Sequence, residues 1–195
     1  MNGGRRFSQA IAEGDGISVI ARVQDLDGAR VAEAEGAEGI AVARPLDGLR
    51  DATPLPVLLD VHAPADEARG AADAVLLSIG EVGDDAERLD HLQARARELD
   101  LELVVAVADE NELELALERL DPEIFLLLAP EAGDGEEAVD HVLELLPDVP
   151  AGKLAIAAVI SATRDQVVAL ERAGVDAVVV AGQVAELVPQ TPPDV

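Results

Sequence analysis

LAIAAVISATRDQVVALERAGVDAVVV, residues 154–180, holds a complete folding unit. Leu154–Ala158 is a short aliphatic run without polar alternation, which is how a strand buried on both faces reads. Thr163 then offers a side-chain oxygen to begin a helix, and Gly174 supplies the residue that most readily takes the left-handed conformation closing one. Ala177–Val180 is a second aliphatic run. Two strands joined through a helix in this way lie parallel, with a right-handed crossover.

The same unit recurs on the N-terminal side. ISVIARV (17–23), GIAV (39–42), VLLDV (57–61), AVLL (74–77), LELVVAV (101–107) and IFLLL (124–128) read as six further strands, eight in all. Between the fourth and fifth, residues 84–99 carry Leu89, Leu92, Ala96 and Leu99 at three- and four-residue spacing, one face of a helix. Residues 109–120 open with Asp109 followed three positions later by Glu112, the spacing of a capping box. Pro45, Pro54 and Pro56 leave room for about one turn of helix between the second and third strands, and the stretch after Gly182 is similarly short. Strand and helix alternating eight times predicts an α/β fold, a single (β/α)8 TIM barrel of minimal length with short βα loops. The barrel is expected over residues 1–188, with residues 189–195 an exposed Pro-rich tail. An open, doubly wound sheet is the alternative. No fixed-period repeat of the solenoid kind is present.

Composition narrows the function classes. Hydrophobic residues make up 49% of the 195 positions but aromatics only 1%, so the core is aliphatic. Forty Asp and Glu against 14 Lys and Arg give a net charge of −26. Nucleic acid and anionic membrane surfaces are disfavoured partners, since both are bound by clustered Lys and Arg. The acidity reads as a solubilising surface, with adaptation to high salt or high pH as one cause. The absence of cysteine removes disulfides, thiolate zinc sites and thiol nucleophiles. No apolar run reaches the ~20 residues of a membrane span, and a cytoplasmic location is the expectation.

Five stretches carry a family resemblance: RRFSQAIAEGDGISVIARV (5–23), LPVLLDV (55–61), ADAVLLSI (72–79), LELVVAVADENELELAL (101–117) and GVDAVVVAGQVAEL (174–187). In this order they resemble indole-3-glycerol phosphate synthase, over nearly the whole chain. The resemblance implies a phosphate-binding (β/α)8 barrel that closes the indole ring of a carboxyphenylamino-deoxyribulose phosphate with loss of carbon dioxide and water. It also implies which positions bear the chemistry, and here they read differently. The family's first-strand glutamate and lysine fall on Arg22 and Gln24, and its third-strand lysine, the essential acid, on Asp60. Its fifth-strand glutamate falls on Ala106, its sixth-strand asparagine on Leu128, and its seventh-strand ESG motif on the apolar residues around Ala157, Ala158 and Val159. One count is independent of alignment: the chain has a single lysine, Lys153, placed before the seventh strand and so at the end of the barrel opposite the chemistry. Arginine cannot take over as a proton donor, because it stays protonated far above neutrality.

The candidate site residues are therefore few. Arg22 and Asp60 are expected to form a charge-reversed ion pair across the barrel mouth, with Arg22 as an alternative clamp for a carboxylate or phosphate. His62, two residues beyond Asp60, could share its side and act as a general base, or be an ordinary loop histidine. Ser161, Thr163 and Gly182 fall in the loops after strands seven and eight, where such barrels hold phosphate; Val159 and Ala181 stand where supporting glycines would be. His91 and His141 lie in predicted helices without metal-ligand spacing, and EAGDGEE (131–137) lacks the full calcium-loop pattern. No cofactor is expected. The reading is a barrel of this lineage that has lost the family's reacting residues, non-catalytic or diverged. The alternatives are an active lyase of tryptophan biosynthesis, another small enzyme taking an anionic phosphosugar, and a structural or interaction protein. For the last, short second and eighth connections would leave apolar barrel surface for a homodimer to bury.

Overall fold

The computed structural model describes residues 6–13, 16–60, 66–129, 135–182 and 184–187. Eight parallel strands form a closed barrel in chain order: β1 (Ser18–Arg22), β2 (Gly39–Val42), β3 (Val57–Leu59), β4 (Ala74–Ser78), β5 (Glu102–Val107), β6 (Ile124–Leu128), β7 (Leu154–Ala158) and β8 (Ala177–Val180). The decisive pairing joins the first strand to the last, Ser18 with Ala177 through Ala21 with Val180. An open sheet would leave both edges bare, so the doubly wound alternative is excluded.

Both faces of every strand are apolar because each looks onto a different core. On β1, Ile20 faces the barrel interior while Val19 and Ala21 face the helices; on β5, Val104 and Ala106 face in while Val105 and Val107 face out. This alternation is the two-residue period of a strand, invisible in composition because both partners are aliphatic. The interior is filled by Ile20, Leu58, Leu76, Val104, Ile124, Leu126 and Ile156 with alanines between them. Its N-terminal end is stoppered by α1 (Arg6–Ala12), which contributes Phe7 and Ile11 to the same cluster. Glu102, at the start of β5, holds this stopper by accepting the N–H of Phe7 at 2.7 Å and of Ser8 at 3.1 Å.

The outer layer consists of α2 (Leu26–Ala34), α3 (Leu49–Ala52), α4 (Ile79–Val82), α5 (Ala86–Glu98), α6 (Glu110–Arg119), α7 (Gly135–Leu145) and α8 (Arg164–Ala173). Asp25, Asp85, Asp109 and Thr163 each cap a helix start with a side-chain oxygen. Thr163 and Gln166 make a reciprocal capping box on α8. The box expected on α6 is displaced: Asp109 accepts the N–H of Glu112, but Glu112 takes the N–H of Ala108 rather than that of Asp109. At helix ends, Gly174 takes φ 102°, and the same left-handed role after α5 and α6 falls to Asp100 (φ 59°) and Asp121 (φ 42°). Aspartate is among the few non-glycine residues that tolerate this region.

Two crossovers are reduced. α3 is the single turn that the prolines predicted, and between β3 and β4 the described helix is one 3-10 turn, Asp66–Ala68. The expected bare surface does not follow at the second connection: the outward residues Ile40, Val42, Val57 and Leu59 are at most 2% exposed in the single chain. The described large hydrophobics that do stand exposed are Val31 and Ile160. Two aspartates knit neighbouring strands together at their starts. Asp73, just before β4, accepts the N–H of Val57 at 2.8 Å, and Asp176, just before β8, accepts that of Ala155 at 2.8 Å. Each also donates its own N–H to the carbonyl of the same residue at 2.9 Å. The segments ADAV (72–75) and VDAV (175–178) are thus used identically half a barrel apart. Among the described residues no helix is long and apolar enough to cross a membrane.

Candidate functional site

In this architecture the functional end is the one where the strands finish, because the βα loops converge there. Which side chains reach it is set by the alternation just described. On β1 the residue two beyond Ile20 is Arg22, and two beyond Leu58 on β3 is Asp60, so both share the inward side of their strands. β2 lies between them and contributes only Ala41 to the interior. With nothing bulky intervening, the Arg22 guanidinium donates directly to Asp60 Oδ2. The pair is half-exposed, at 45% and 31% for the two side chains. It closes one side of the mouth with charges that neutralise each other.

The rest of the mouth is chemically plain. Ala106 is fully buried in the inner cluster, and Leu128 and Ala158 pack against it from the ends of β6 and β7. Ala157 and Val159 face the outer layer instead. Ser78 ends β4 on the inward side, and Gln24 is exposed beyond β1. His62 lies outside the described residues, as does most of EAGDGEE.

Ser161, Thr163 and Gly182 all stand exposed in the loops after β7 and β8. Two of the amides that could hold an anion there are already engaged. The Thr163 N–H goes to Gln166 Oε1 at 2.8 Å, and the Gln166 N–H to Thr163 Oγ1 at 3.4 Å. α7 crowds the same loop: a Cβ at Gly135 would sit 3.1 Å from the Ser161 carbonyl oxygen and 3.3 Å from the Gln166 amide. Gly182 adopts φ 119°, and the Ala181 N–H beside it bonds to the Ile160 carbonyl at 3.0 Å.

Lys153 stands where the sequence placed it, at the other end of the molecule. Its Nζ lies 2.9 Å from Asp121 Oδ1 and 3.7 Å from Glu123 Oε1. The hydrogen bond to Asp121 leads the effects that raise its pKa above the ordinary lysine value, with burial opposing. A cavity of about 620 Å³ opens at this same end, between α1, the end of α5 and the starts of β5 and β6, far from the mouth. A smaller recess of about 250 Å³ is lined by Asp109, Glu110, Asn111, His141 and Glu144. His141 Nε2 is 2.7 Å from the Ala108 carbonyl, which ties α7 to the end of β5. Among the described residues no group of three or more His, Asp and Glu is placed to hold a metal.

The structure thus unites Arg22 and Asp60 and engages Thr163 in the cap of α8. Reading the sequence missed Glu102 and Asp73 as organising groups. Their signal is an acidic residue at or just before the first position of an otherwise aliphatic strand, where the nearest unpaired donors are backbone N–H groups.

Comparison with known proteins bears on lineage. The profile of the indole-3-glycerol phosphate synthase family matches residues 63–187. No curated protein matches the chain in sequence. Among solved structures, that of "a putative phosphonomutase from Burkholderia cenocepacia J2315" superimposes with a TM-score of 0.62 over 92% of each chain, at 13% identity. At that identity the likeness is one of fold.

Proposed function

Because this chain belongs to the indole-3-glycerol phosphate synthase family, we propose that it is a diverged barrel of that lineage in which ring closure has been lost. The observation that carries this is the place of its one lysine. Lys153 is bound to Asp121 and Glu123 at the N-terminal end, while the chemistry of such a barrel sits at the C-terminal end. A reaction that protonates a carbonyl and a departing hydroxyl needs an acid near neutral pKa in the mouth. The described groups that reach it, Arg22 and Asp60, are a guanidinium that does not release its proton and a carboxylate committed to that guanidinium.

A second reading has one observation in its favour. Arg22 keeps 45% of its side chain exposed and, among the described residues, spends one nitrogen on Asp60, which leaves further donors for a carboxylate or phosphate. Asp60 opposes this by repelling an incoming anion, and the Thr163 and Gln166 amides of the seventh loop are already engaged. The reading of lost ring closure is preferred, with an anionic phosphosugar as the ligand to test. Expression in a tryptophan auxotroph that lacks its own synthase tests it: no growth without tryptophan is expected, and growth would overturn it. Thermal unfolding with a phosphosugar analogue addresses the second reading, since any ligand specific to the native state raises the midpoint.

A further inference from the structure

The turn that follows β8 is fastened by a single carboxylate that the proposed function does not use. Glu35 is the residue on which α2 ends. Its Oε2 accepts the N–H of Val184 at 2.8 Å and of Ala185 at 3.3 Å, reaching across 149 and 150 positions of sequence. A carboxylate at this end of a helix faces the negative pole of the helix dipole. Glu35 is therefore adversely placed for α2 itself, and the donors that compensate it come from the far end of the chain.

Those donors sit on a segment with its own apolar anchors. Val184 is fully buried and Leu187 is 7% exposed, and both share the outer cluster with Val19 and Val178. Val19 and Val178 are register partners on the two strands that close the barrel. α2 follows β1 and the turn follows β8, so the contact between Glu35 and the turn bridges the closing seam from outside. The seam does not need it for its own hydrogen bonding, because β1 and β8 pair directly through four residues. Within the turn, the Leu187 N–H bonds to the Val184 carbonyl at 2.9 Å.

We infer that Glu35 is the latch of a strap, residues 184–187, that covers the β1–β8 seam and opens without unfolding the barrel. Among the described residues, two apolar side chains and one charge-assisted contact hold it, far less than holds any strand. Local opening of such a unit costs less than global unfolding and is read by amide exchange. In the full chain carrying Glu35→Ala, exchange at residues 184–187 should accelerate about ten-fold, the loss of roughly one charge-assisted hydrogen bond, while β1 and β8 change less than about two-fold. Glu35→Gln, which keeps one acceptor oxygen, should fall between the two. Unchanged exchange at 184–187 in Glu35→Ala would overturn the latch. Equal acceleration across β1 and β8 would overturn the strap's independence, because the segment would then open only with the barrel.

Discussion

Breaking the Arg22–Asp60 pair one charge at a time should destabilise the barrel more than breaking it twice. The side chains are 45% and 31% exposed, so the pair stands between two measured extremes. Fully exposed pairs contribute ~0.2–1 kcal/mol, whereas removing one partner of a buried pair costs ~3–5 kcal/mol. Partial exposure places Asp60→Ala at about 1–1.5 kcal/mol, most of it from stranding the guanidinium above an aliphatic interior. For a domain of this length, that is a fall in thermal midpoint of about 2–6 °C. The double variant Arg22→Ala with Asp60→Ala should fall no further than the worse single one, giving a coupling of about 0.5–1 kcal/mol in a double-mutant cycle by urea unfolding. Exchanging the two charges, Arg22→Asp with Asp60→Arg, should recover part of the loss from either single reversal. Additivity of the two alanine changes within ~0.3 kcal/mol would refute the pairing as an energetic contact.

Three further outcomes follow from the same structure. Phe7→Ala removes the fully buried stopper of the interior and should cost about 3–5 kcal/mol in urea unfolding; a loss below about 1 kcal/mol would mean that α1 does not seal the barrel in solution. Asp109→Ala should cost about 0.5–2 kcal/mol by deleting the cap on α6, with exchange rising first in that helix, and a cap that mattered little would leave α6 protection unchanged. Lys153 has a raised pKa, chiefly through its hydrogen bond to Asp121. Folding therefore favours its protonated form, and its contribution is complete below the ordinary lysine pKa of ~10.4 and lost as pH rises through the higher folded value. Lys153→Met should flatten the loss of stability in that alkaline window, and an unchanged slope between variant and wild type would place the titration elsewhere.

The barrel was legible because strands buried on both faces leave short aliphatic runs that little else produces. Seven of the eight strands match their expected runs to within one residue at either end, the exception being VLLDV, and GIAV, IFLLL, LAIAA and AVVV match at both ends. The helix caps at Asp109 and Thr163 were also legible, since they depend on neighbours in sequence. What was not legible depends on partners distant in sequence. Glu112 was expected to complete the box on Asp109 and instead reaches the Ala108 N–H, a choice set by how the β5 end meets α6. Glu102 in a strand and Glu35 at a helix end look misplaced in sequence, and each is explained by N–H donors about 95 and 149 positions away. The single 3-10 turn between β3 and β4 was not foreseen either. There the tie is between Asp66 and Arg95 of α5, 2.5 Å apart, which periodicity cannot register. Of the candidate site, the Arg22–Asp60 contact was readable from alternation along two strands. The engagement of the Thr163 and Gln166 amides was not, because a capping threonine and an anion-binding one look the same in a sequence.

Loss of ring closure requires that the mouth retain no acid able to close the indole ring. Purified protein mixed with the carboxyphenylamino-deoxyribulose phosphate substrate, followed by indole fluorescence, reads this directly. A rate indistinguishable from that of buffer is expected. Turnover above background that disappears in Asp60→Ala would contradict it, by showing that a carboxylate held against Arg22 can still serve the chemistry.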